Sequence, residues 1–333
     1  MWENTDLEKY MKKELEASFN KQDADSYYGL YTIAKKELCG NIYSEIKGVE
    51  SFLTDHSERH IQDVLDRAWK LIIDNDGHVK FNAIELYLLC TCILFHDVGN
   101  IYGREEHNIK VADIYNSIRG DINCSQERQL VLRVVRAHCG KTKDGGKDTL
   151  FEVEPNSNLY DHPVRLRELA AILRFADELA EGAQRTSQYM INKGLIHKDS
   201  LVFHKYASVS EYHIDKGEGR VVLMYNIDYP LSDIPLKDLM EFVYKRILKL
   251  DAERRYCKYY ASSLQCFLCT EASIKFTVNG DLCDFDLPKI SLEDKYNLVD
   301  DGIEDLIRKL PALNIEEIES KLLNNLKSCN YNE

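Results

Sequence analysis

Apolar residues recur with the period of an α-helix through the first half of the chain. Residues 84–95 form an almost continuous apolar run, which is typical of a helix buried on all sides. Residues 61–68, 129–137 and 165–182 carry apolar side chains at intervals of three and four, as amphipathic helices do. Residues 1–53 follow a helical pattern as well. These patterns predict a mainly α fold built on a helical bundle.

The pattern changes beyond Ala183. Residues 200–215 and 219–230 are rich in β-branched and aromatic side chains, and the glycine-containing segment between them is a hairpin signal. A further strand, a turn at Asn279-Gly280-Asp281 and another strand follow residues 234–264, which have the pattern of one long helix. We therefore expect a small α/β appendage of two hairpins around a helix.

The same patterns suggest how the chain divides. We expect N-terminal helices over residues 1–53 that pack on a helical core of residues 54–189, the α/β appendage over 190–290 and C-terminal helices over 291–333. Pro311 would separate two short helices in the last of these segments. The sequence contains no internal repeat that would indicate a solenoid.

Polar side chains of the kind that bind metals interrupt this helical pattern. They are His60, His96, Asp97, His138 and Asp177. An imidazole beside a carboxylate at the end of an apolar helix is costly to bury unless a partner such as a divalent metal satisfies both groups. Thr54 or Asp55 is expected to cap the helix that carries His56 and His60, which share one face of that helix. Gly99 and Asn100 are expected to end the helix of the apolar run 84–95.

The order of these residues resembles the motif of the HD superfamily of metal-dependent phosphohydrolases. That motif is a His, then a His-Asp doublet, then a distant Asp, and here His60, His96-Asp97 and Asp177 stand in that order within the contexts LFHDVGN and AAILRFADEL. The resemblance covers residues 54–185. The residues of these segments are most similar to those of bacterial HD proteins that accompany Hsp90-like ATPases or conflict systems.

The resemblance implies a divalent metal centre, with two ions per chain rather than one. The first ion would bind His60, His96, Asp97 and Asp177; the second would bind Asp97, His107 and His138, with Asp97 as the bridge. Mixed imidazole and carboxylate ligands suit Fe, Mn, Zn, Ni or Co, and Mg is a further candidate. Taken singly, each histidine is more often a partly buried helix residue, and Asp177 is more often paired with a neighbour such as Arg174.

The activity implied is hydrolysis of a phosphoester or phosphoanhydride. Asp97, His107 and His56 are the candidate catalytic residues, since the spacing of His56 and His60 is similar to that in cyclic nucleotide phosphodiesterases of the superfamily, where the earlier histidine is the general acid. Alternatively, His56 belongs only to the start of its helix. Cations beside the motif would bind the substrate phosphates, namely Arg104, Lys110, Arg136, Lys141 and Arg185. The Gly-rich segment 140–148 is either a lid over the phosphate or a solvated loop.

Composition narrows the substrate. The net charge of −13 disfavours long duplex nucleic acid and leaves a small phosphorylated molecule, above all a nucleotide. The apolar runs fall short of the roughly 20 residues of a membrane span, and the charged N-terminal segment lacks a secretion signal, so we expect a cytoplasmic protein. The ten cysteines are expected to be free thiols, and Cys266-Cys269 has no second pair to complete a structural zinc site.

Two other functions remain open from the sequence. The same metal site is compatible with a nucleotide-binding regulatory module that turns over slowly or not at all. The α/β appendage could carry a scaffold function through a homo-oligomer contact or a regulatory partner protein. Survival of hydrolysis after deletion of residues 190–333 would separate these functions.

Overall fold

The computed structural model describes residues 2–49, 54–55, 57–105, 107–120, 125–142, 144–231, 233–283, 285–294 and 302–330. It confirms a mainly α fold with a small α/β region toward the C-terminus. The chain forms two compact units. The first contains the described residues of Met1–Ser51, Asp55–Ala180 and Tyr256–Gln265; the second contains those of Phe52–Thr54, Glu181–Arg255 and Cys266–Glu333.

The first unit is a bundle of helices with one small hairpin. Its helices are α1 (Asp6–Ser18), α2 (Lys21–Asn41), α3 (Tyr43–Val49), α4 (Glu58–Ile72), α5 (Ala83–Phe95), α6 (His107–Arg119), α7 (Ser125–Ala137) and α8 (Leu166–Leu179). The sequence missed the short antiparallel hairpin of β1 (Ser157–Leu159) and β2 (His162–Val164). Strands of three residues carry too few side chains for alternation to show.

Helix α5 is the centre of this unit, as its apolar run predicts. Every one of its residues is buried, and it packs against α1, α2, α4, α7 and α8. Asn82 and Glu85 form a capping box at its start: Asn82 Oδ1 accepts from the Glu85 amide at 2.9 Å, and Glu85 Oε2 accepts from the Asn82 amide at 3.0 Å. The stretch Ala83–Tyr102 is long and apolar enough to span a membrane, but 94% of its apolar window is buried inside the protein, as in any core helix.

Helix α4 begins later than predicted. Its N-cap is Ser57, so neither Thr54 nor Asp55 caps the helix. The Asp55 carboxylate accepts hydrogen bonds from the Ser57 amide at 3.0 Å and the Ser57 hydroxyl at 2.8 Å. The Asp55 carboxylate therefore forms an Asx turn with Ser57 instead of capping α4.

The second unit is built on a mixed sheet. Its elements are α9 (Gln188–Asn192), α10 (Leu201–Val209), β3 (Ser210–Asp215), β4 (Arg220–Tyr229), α11 (Leu236–Tyr260), β5 (Cys269–Val278), β6 (Asp281–Leu282), β7 (Ile290–Glu293), α12 (Ile303–Lys309) and α13 (Ile315–Asn330), with the last residues of α11 assigned to the first unit. The sheet order is β3-β4-β5-β6, and β7 pairs with β5.

Two hairpins are present as predicted, but they share one sheet, and the first predicted strand, residues 200–215, is a strand only from Ser210 because Leu201–Val209 form α10. Strands β3 and β4 pair antiparallel, as do β5 and β6 around Asn279 and Gly280, whose φ angles are both positive. Strands β4 and β5 run parallel with α11 as the crossover between them, so one sheet contains both hairpins. Helices α12 and α13 lie in the segment 291–333 that was predicted to be helical, with Pro311 starting the short 3₁₀ turn between them, whereas the start of that segment belongs to β7.

Candidate metal centre

Four predicted ligands meet inside the first unit. His60 lies in α4, His96 caps the C-terminus of α5, Asp97 follows it, and Asp177 lies in the last turn of α8. His60 Nε2 is 3.1 Å from Asp177 Oδ1 and 3.6 Å from Asp97 Oδ2. His96 Nε2 is 3.4 Å from Asp97 Oδ2 and 3.7 Å from Asp177 Oδ1. These four side chains can hold a divalent ion.

The second oxygen of Asp97 faces two further histidines. Asp97 Oδ1 lies 3.6 Å from His107 Nε2 and 3.6 Å from His138 Nε2. His107 is the first residue of α6, and His138 follows the last residue of α7. Asp97 therefore divides its two oxygens between two histidine pairs.

Backbone carbonyls orient three of the rings. The Nδ1–H group of His96 donates to the Ile93 carbonyl at 2.8 Å. The same group of His107 donates to the Arg104 carbonyl at 3.0 Å, and that of His138 donates to the Val135 carbonyl at 2.5 Å. Each ring therefore turns Nε2 toward the carboxylates. A hydrogen bond at the outer nitrogen is the usual support of a metal-binding histidine, because it fixes both the tautomer and the ring plane.

Gly99 lets the His107 end of α6 approach the doublet. A Cβ atom at Gly99 would stand 1.8 Å from the His107 carbonyl oxygen, so only glycine fits against that backbone. Gly99 lies inside the 3₁₀ turn Val98–Tyr102, which continues beyond it and beyond Asn100, so neither residue ends the helical path as predicted. The turn stops at Gly103, whose φ is +96°.

The charges of the centre favour a cation. Burial raises the pKa of Asp177, but the adjoining His60 and His96 outweigh burial and hold that pKa well below its ordinary value. Burial lowers the pKa of His96, but the carboxylates of Asp97 and Asp177 reverse this and raise it to about 10. The Asp177 carboxylate thus stays charged while a proton occupies the His96 imidazole. A metal ion that binds His96 must displace that proton.

Cys139 is a potential ligand that the sequence analysis missed. Its Sγ lies 3.3 Å from His107 Nε2, and the ligand atoms of His107, His138 and Cys139 all lie within 4.8 Å of one another. Burial raises the pKa of the thiol, but His138 and His107 outweigh it and lower the pKa to about 6. The adjacency of Cys139 to His138 was the available signal, but it has meaning only once His107 is placed opposite.

The donor set fits a divalent ion by an independent observation. His96 Nε2 is buried without a hydrogen bond to any described residue, although its Nδ1 is bonded. Its nearest polar atoms are the carboxylate oxygens of Asp97 at 3.4 Å and Asp177 at 3.7 Å, and a metal bound between them would satisfy the nitrogen and both oxygens. Imidazole nitrogens and carboxylate oxygens are the ligands that Fe, Mn, Zn, Ni and Co share.

The predicted phosphate-binding cations do not all belong to the unit that contains the predicted ligands. Arg104, Lys110, Arg136 and Lys141 are exposed side chains of the first unit, on segments that flank His107 and His138. Arg185 belongs to the second unit, where it is buried 3.6 Å from Glu181. Arg174, the alternative partner for Asp177, donates to Thr149 Oγ1 at 3.0 Å and toward the Ala137 carbonyl at 3.4 Å. His56 lies outside the described residues.

Comparison with known families adds one match. Residues 49–228 match the model of the family described as HD-CE, which is more than half of the 333-residue chain and includes all six predicted ligands. No curated protein matches the chain, and no solved structure does. The resemblance to HD proteins is therefore supported at the level of an HD-type domain. The association with Hsp90-like ATPases or conflict systems stays a prediction.

Proposed function

Because the chain belongs to the HD-CE family, we propose that it is a metal-dependent phosphohydrolase that cleaves a phosphoester or phosphoanhydride bond of a nucleotide or a related small phosphorylated molecule. The observation that carries this proposal is Asp97, whose Oδ2 faces His60 and His96 while Oδ1 faces His107 and His138. A carboxylate with one oxygen toward each of two imidazole pairs suits two neighbouring ions.

In this proposal the first ion binds His60, His96, Asp97 and Asp177, and the second binds Asp97, His107 and His138. When bound, such metals supply a nucleophile at neutral pH by lowering the pKa of water to about 7, and they neutralise charge on phosphoryl oxygens. The chain contributes the buried Asp97 carboxylate, the partly exposed Asp177 carboxylate and four imidazoles. Backbone carbonyls already orient the rings of His96, His107 and His138.

The remaining roles fall to residues around the ligands. Arg104, Lys110, Arg136 and Lys141 would bind the phosphates, since exposed guanidinium and ammonium groups there offset the net charge of −13. His107 cannot be ligand and general acid together, because Nδ1 donates to the Arg104 carbonyl and leaves only Nε2 for the centre. The acid role is therefore assigned to His56, four residues before His60 in the sequence.

The first experiment is elemental analysis of the purified protein together with phosphate release from nucleotides and dinucleotides in the presence of Mn, Fe, Ni, Co, Zn or Mg. We expect about two ions per chain and turnover of one substrate class. Metal binding and nucleotide binding without any turnover would instead identify a regulatory module.

Substitution of Asp97 tests the bridge. Asp97→Ala removes a ligand of both ions, so the metal content is expected to fall to near zero and turnover to fall by at least about 100-fold, the equivalent of several kcal/mol of lost charge stabilisation. His107→Ala is expected to lower the content to one ion per chain. Asp113→Asn, an exposed carboxylate of α6, is the matched control and should retain both ions. Full metal content in Asp97→Ala protein would refute the assignment.

A further inference from the structure

Cys139 lies where a fourth ligand of the second ion would stand. Its Sγ is 3.3 Å from His107 Nε2, and it shares a group of mutually close ligand atoms with His107 and His138. Both histidines place Nε2 3.6 Å from Asp97 Oδ1. The second group therefore contains two imidazoles, one carboxylate oxygen and one thiol sulfur.

The backbone fixes Cys139 in this position rather than leaving it in a loose loop. Helix α7 ends at Ala137, whose carbonyl accepts from the Thr149 hydroxyl at 2.7 Å. Gly140 turns the chain with a φ of +83° directly after the cysteine. The Asn108 side chain, next to His107, donates to the Arg136 carbonyl at 3.2 Å and so joins the start of α6 to the end of α7.

The two groups differ in chemical softness. The first group offers imidazole nitrogens and carboxylate oxygens alone, ligands that suit hard and borderline ions alike. A thiolate in the second group favours zinc, iron or cobalt and disfavours magnesium, which prefers an all-oxygen octahedral shell. Cysteine, histidine and a carboxylate oxygen together are a ligand combination that tetrahedral zinc accepts.

We infer that Cys139 coordinates the second ion as a thiolate, with the proton of the Cys139–His107 hydrogen bond released to solvent on binding, and that this site takes zinc or a similar divalent ion in preference to magnesium. The inference rests on the proposed two-metal centre. It adds a residue to that centre, and it makes the two ions chemically distinct. The alternative is that Cys139 is only a hydrogen-bonded neighbour of His107.

Cobalt substitution tests this directly, because a cobalt–thiolate bond absorbs strongly in the near ultraviolet whereas cobalt bound by nitrogen and oxygen does not. Protein loaded with two cobalt ions should show this charge-transfer band. Cys139→Ser should abolish the band, and Cys39→Ser, a substitution of a half-buried thiol in α2, should leave it unchanged. Zinc affinity of the second site should fall by at least the roughly 10-fold typical of a lost supporting group.

Zinc X-ray absorption of the unmodified protein gives a second measurement that needs no variant. It should contain a sulfur shell at about 2.3 Å. Two bound ions without a thiolate band or a sulfur shell would overturn the Cys139 assignment and leave the proposed hydrolase intact. A single cobalt ion at saturation would overturn the two-metal centre itself. If the band persists in Cys139→Ser, another cysteine supplies it and the inference is wrong.

Discussion

Gly99 determines how closely His107 approaches the His96-Asp97 doublet of the candidate metal centre. The residue packs its Cα against the His107 carbonyl, where a Cβ would stand 1.8 Å from the oxygen and 2.7 Å from the carbon. Since His107 is the first residue of α6, a shift of that carbonyl moves the ring that faces Asp97. The approach of α6 to the doublet thus depends on Gly99.

Gly99→Ala is therefore expected to destabilise the protein by about 1–3 kcal/mol through overpacking and to release the second ion selectively. Urea unfolding and metal analysis measure the two effects. Gly29→Ala in α2 is the control, because nothing lies within 4 Å of its Cβ position and alanine favours a helix over glycine by about 0.5–1 kcal/mol. Unchanged stability and two bound ions in Gly99→Ala would contradict the structural role given to this residue.

For single residues, the sequence predicted which residues form the candidate site better than it predicted their structural roles. His60, His96, Asp97 and Asp177 were selected from order and context, and the structure brings them together. Gly99 was interpreted as a helix-ending residue, because its contact with His107 is tertiary and has no local signal. Cys139 was read only as a free thiol for the same reason: its neighbour in space, His107, is 32 positions away.

At the scale of helices, a buried ion pair joins α1 to α2. Glu8 accepts from Lys35 Nζ at 2.8 Å, from Tyr31 Oη at 2.7 Å and from Trp2 Nε1 at 3.0 Å, and it also caps α1 through the Thr5 amide. The side chains of Glu8 and Lys35 are 0% and 3% exposed. Removing one partner leaves the other as a charge in a water-free interior.

Lys35→Met is expected to cost about 3–5 kcal/mol of unfolding free energy, the range for a buried pair that loses one partner. The double variant Glu8→Gln with Lys35→Met should recover part of that loss, since it removes the uncompensated charge. Lys9→Met serves as a matched control: Lys9 and Asp6 form an exposed pair in α1, and its loss should cost less than about 1 kcal/mol. Equal losses in the two lysine variants would contradict the interpretation.

The same carboxylate predicts a pH dependence of stability. Burial raises the pKa of Glu8, but hydrogen bonds from Lys35, the Thr5 amide and Tyr31 outweigh it, so that the folded pKa lies below the ordinary value of 4.5. A group with a depressed folded pKa stabilises the fold above its unfolded pKa, and this contribution is lost as pH falls through the folded value. Below pH 4.5 the free energy of unfolding, measured by urea titration, should therefore fall more steeply with decreasing pH in the unmodified protein than in Glu8→Gln.

Element type followed from the sequence wherever periodicity was long. Helices α5, α7 and α8 lie where the apolar pattern placed them. The exception is Leu201–Val209, which aromatic and β-branched residues marked as a strand but which forms α10. Its buried residues are Leu201, His204, Tyr206 and Ala207, whose spacing places them on one side of a helix, so packing on that side outweighed the weak strand propensity.

At the scale of the whole molecule, the first unit is discontinuous in sequence. It takes in Tyr256–Gln265, which follow most of the second unit along the chain. Within the first unit Tyr256 Oη accepts from the Leu150 amide at 2.9 Å and donates to Asp148 at 2.9 Å. Ser262 Oγ and the Ser263 amide donate to Glu168 at 2.9 and 2.8 Å.

Tyr256→Phe is expected to lower the stability of the first unit by about 1–3 kcal/mol, because the Leu150 amide loses its acceptor. Tyr259→Phe is the control, since the Tyr259 side chain is exposed and belongs to the same helix. Thermal unfolding measured with metal bound and with metal removed compares the two variants.

A fragment of residues 1–189 should likewise be less stable than the intact chain. Loss of activity in this fragment would therefore not by itself assign function to the appendage.

The predicted domain boundaries could not anticipate this arrangement. Periodicity reports which residues are buried, but it carries no information on which other segment buries them. Residues 256–264 fall within the helical pattern predicted over 234–264 and were assigned with the appendage for that reason, although α11 ends at Tyr260. The four predicted domains stay a prediction about the order of segments.

Asp97 has a thermodynamic consequence for the proposed centre. A carboxylate that gives one oxygen to each of two ions makes their binding equilibria interdependent, since the first ion to bind withdraws charge that the second would otherwise use. By linkage, whatever factor the first ion imposes on the affinity of the second, the second imposes on the first. Occupancy of the centre would then follow a coupled isotherm, and cellular concentrations of both ions would together set the fraction of fully loaded protein.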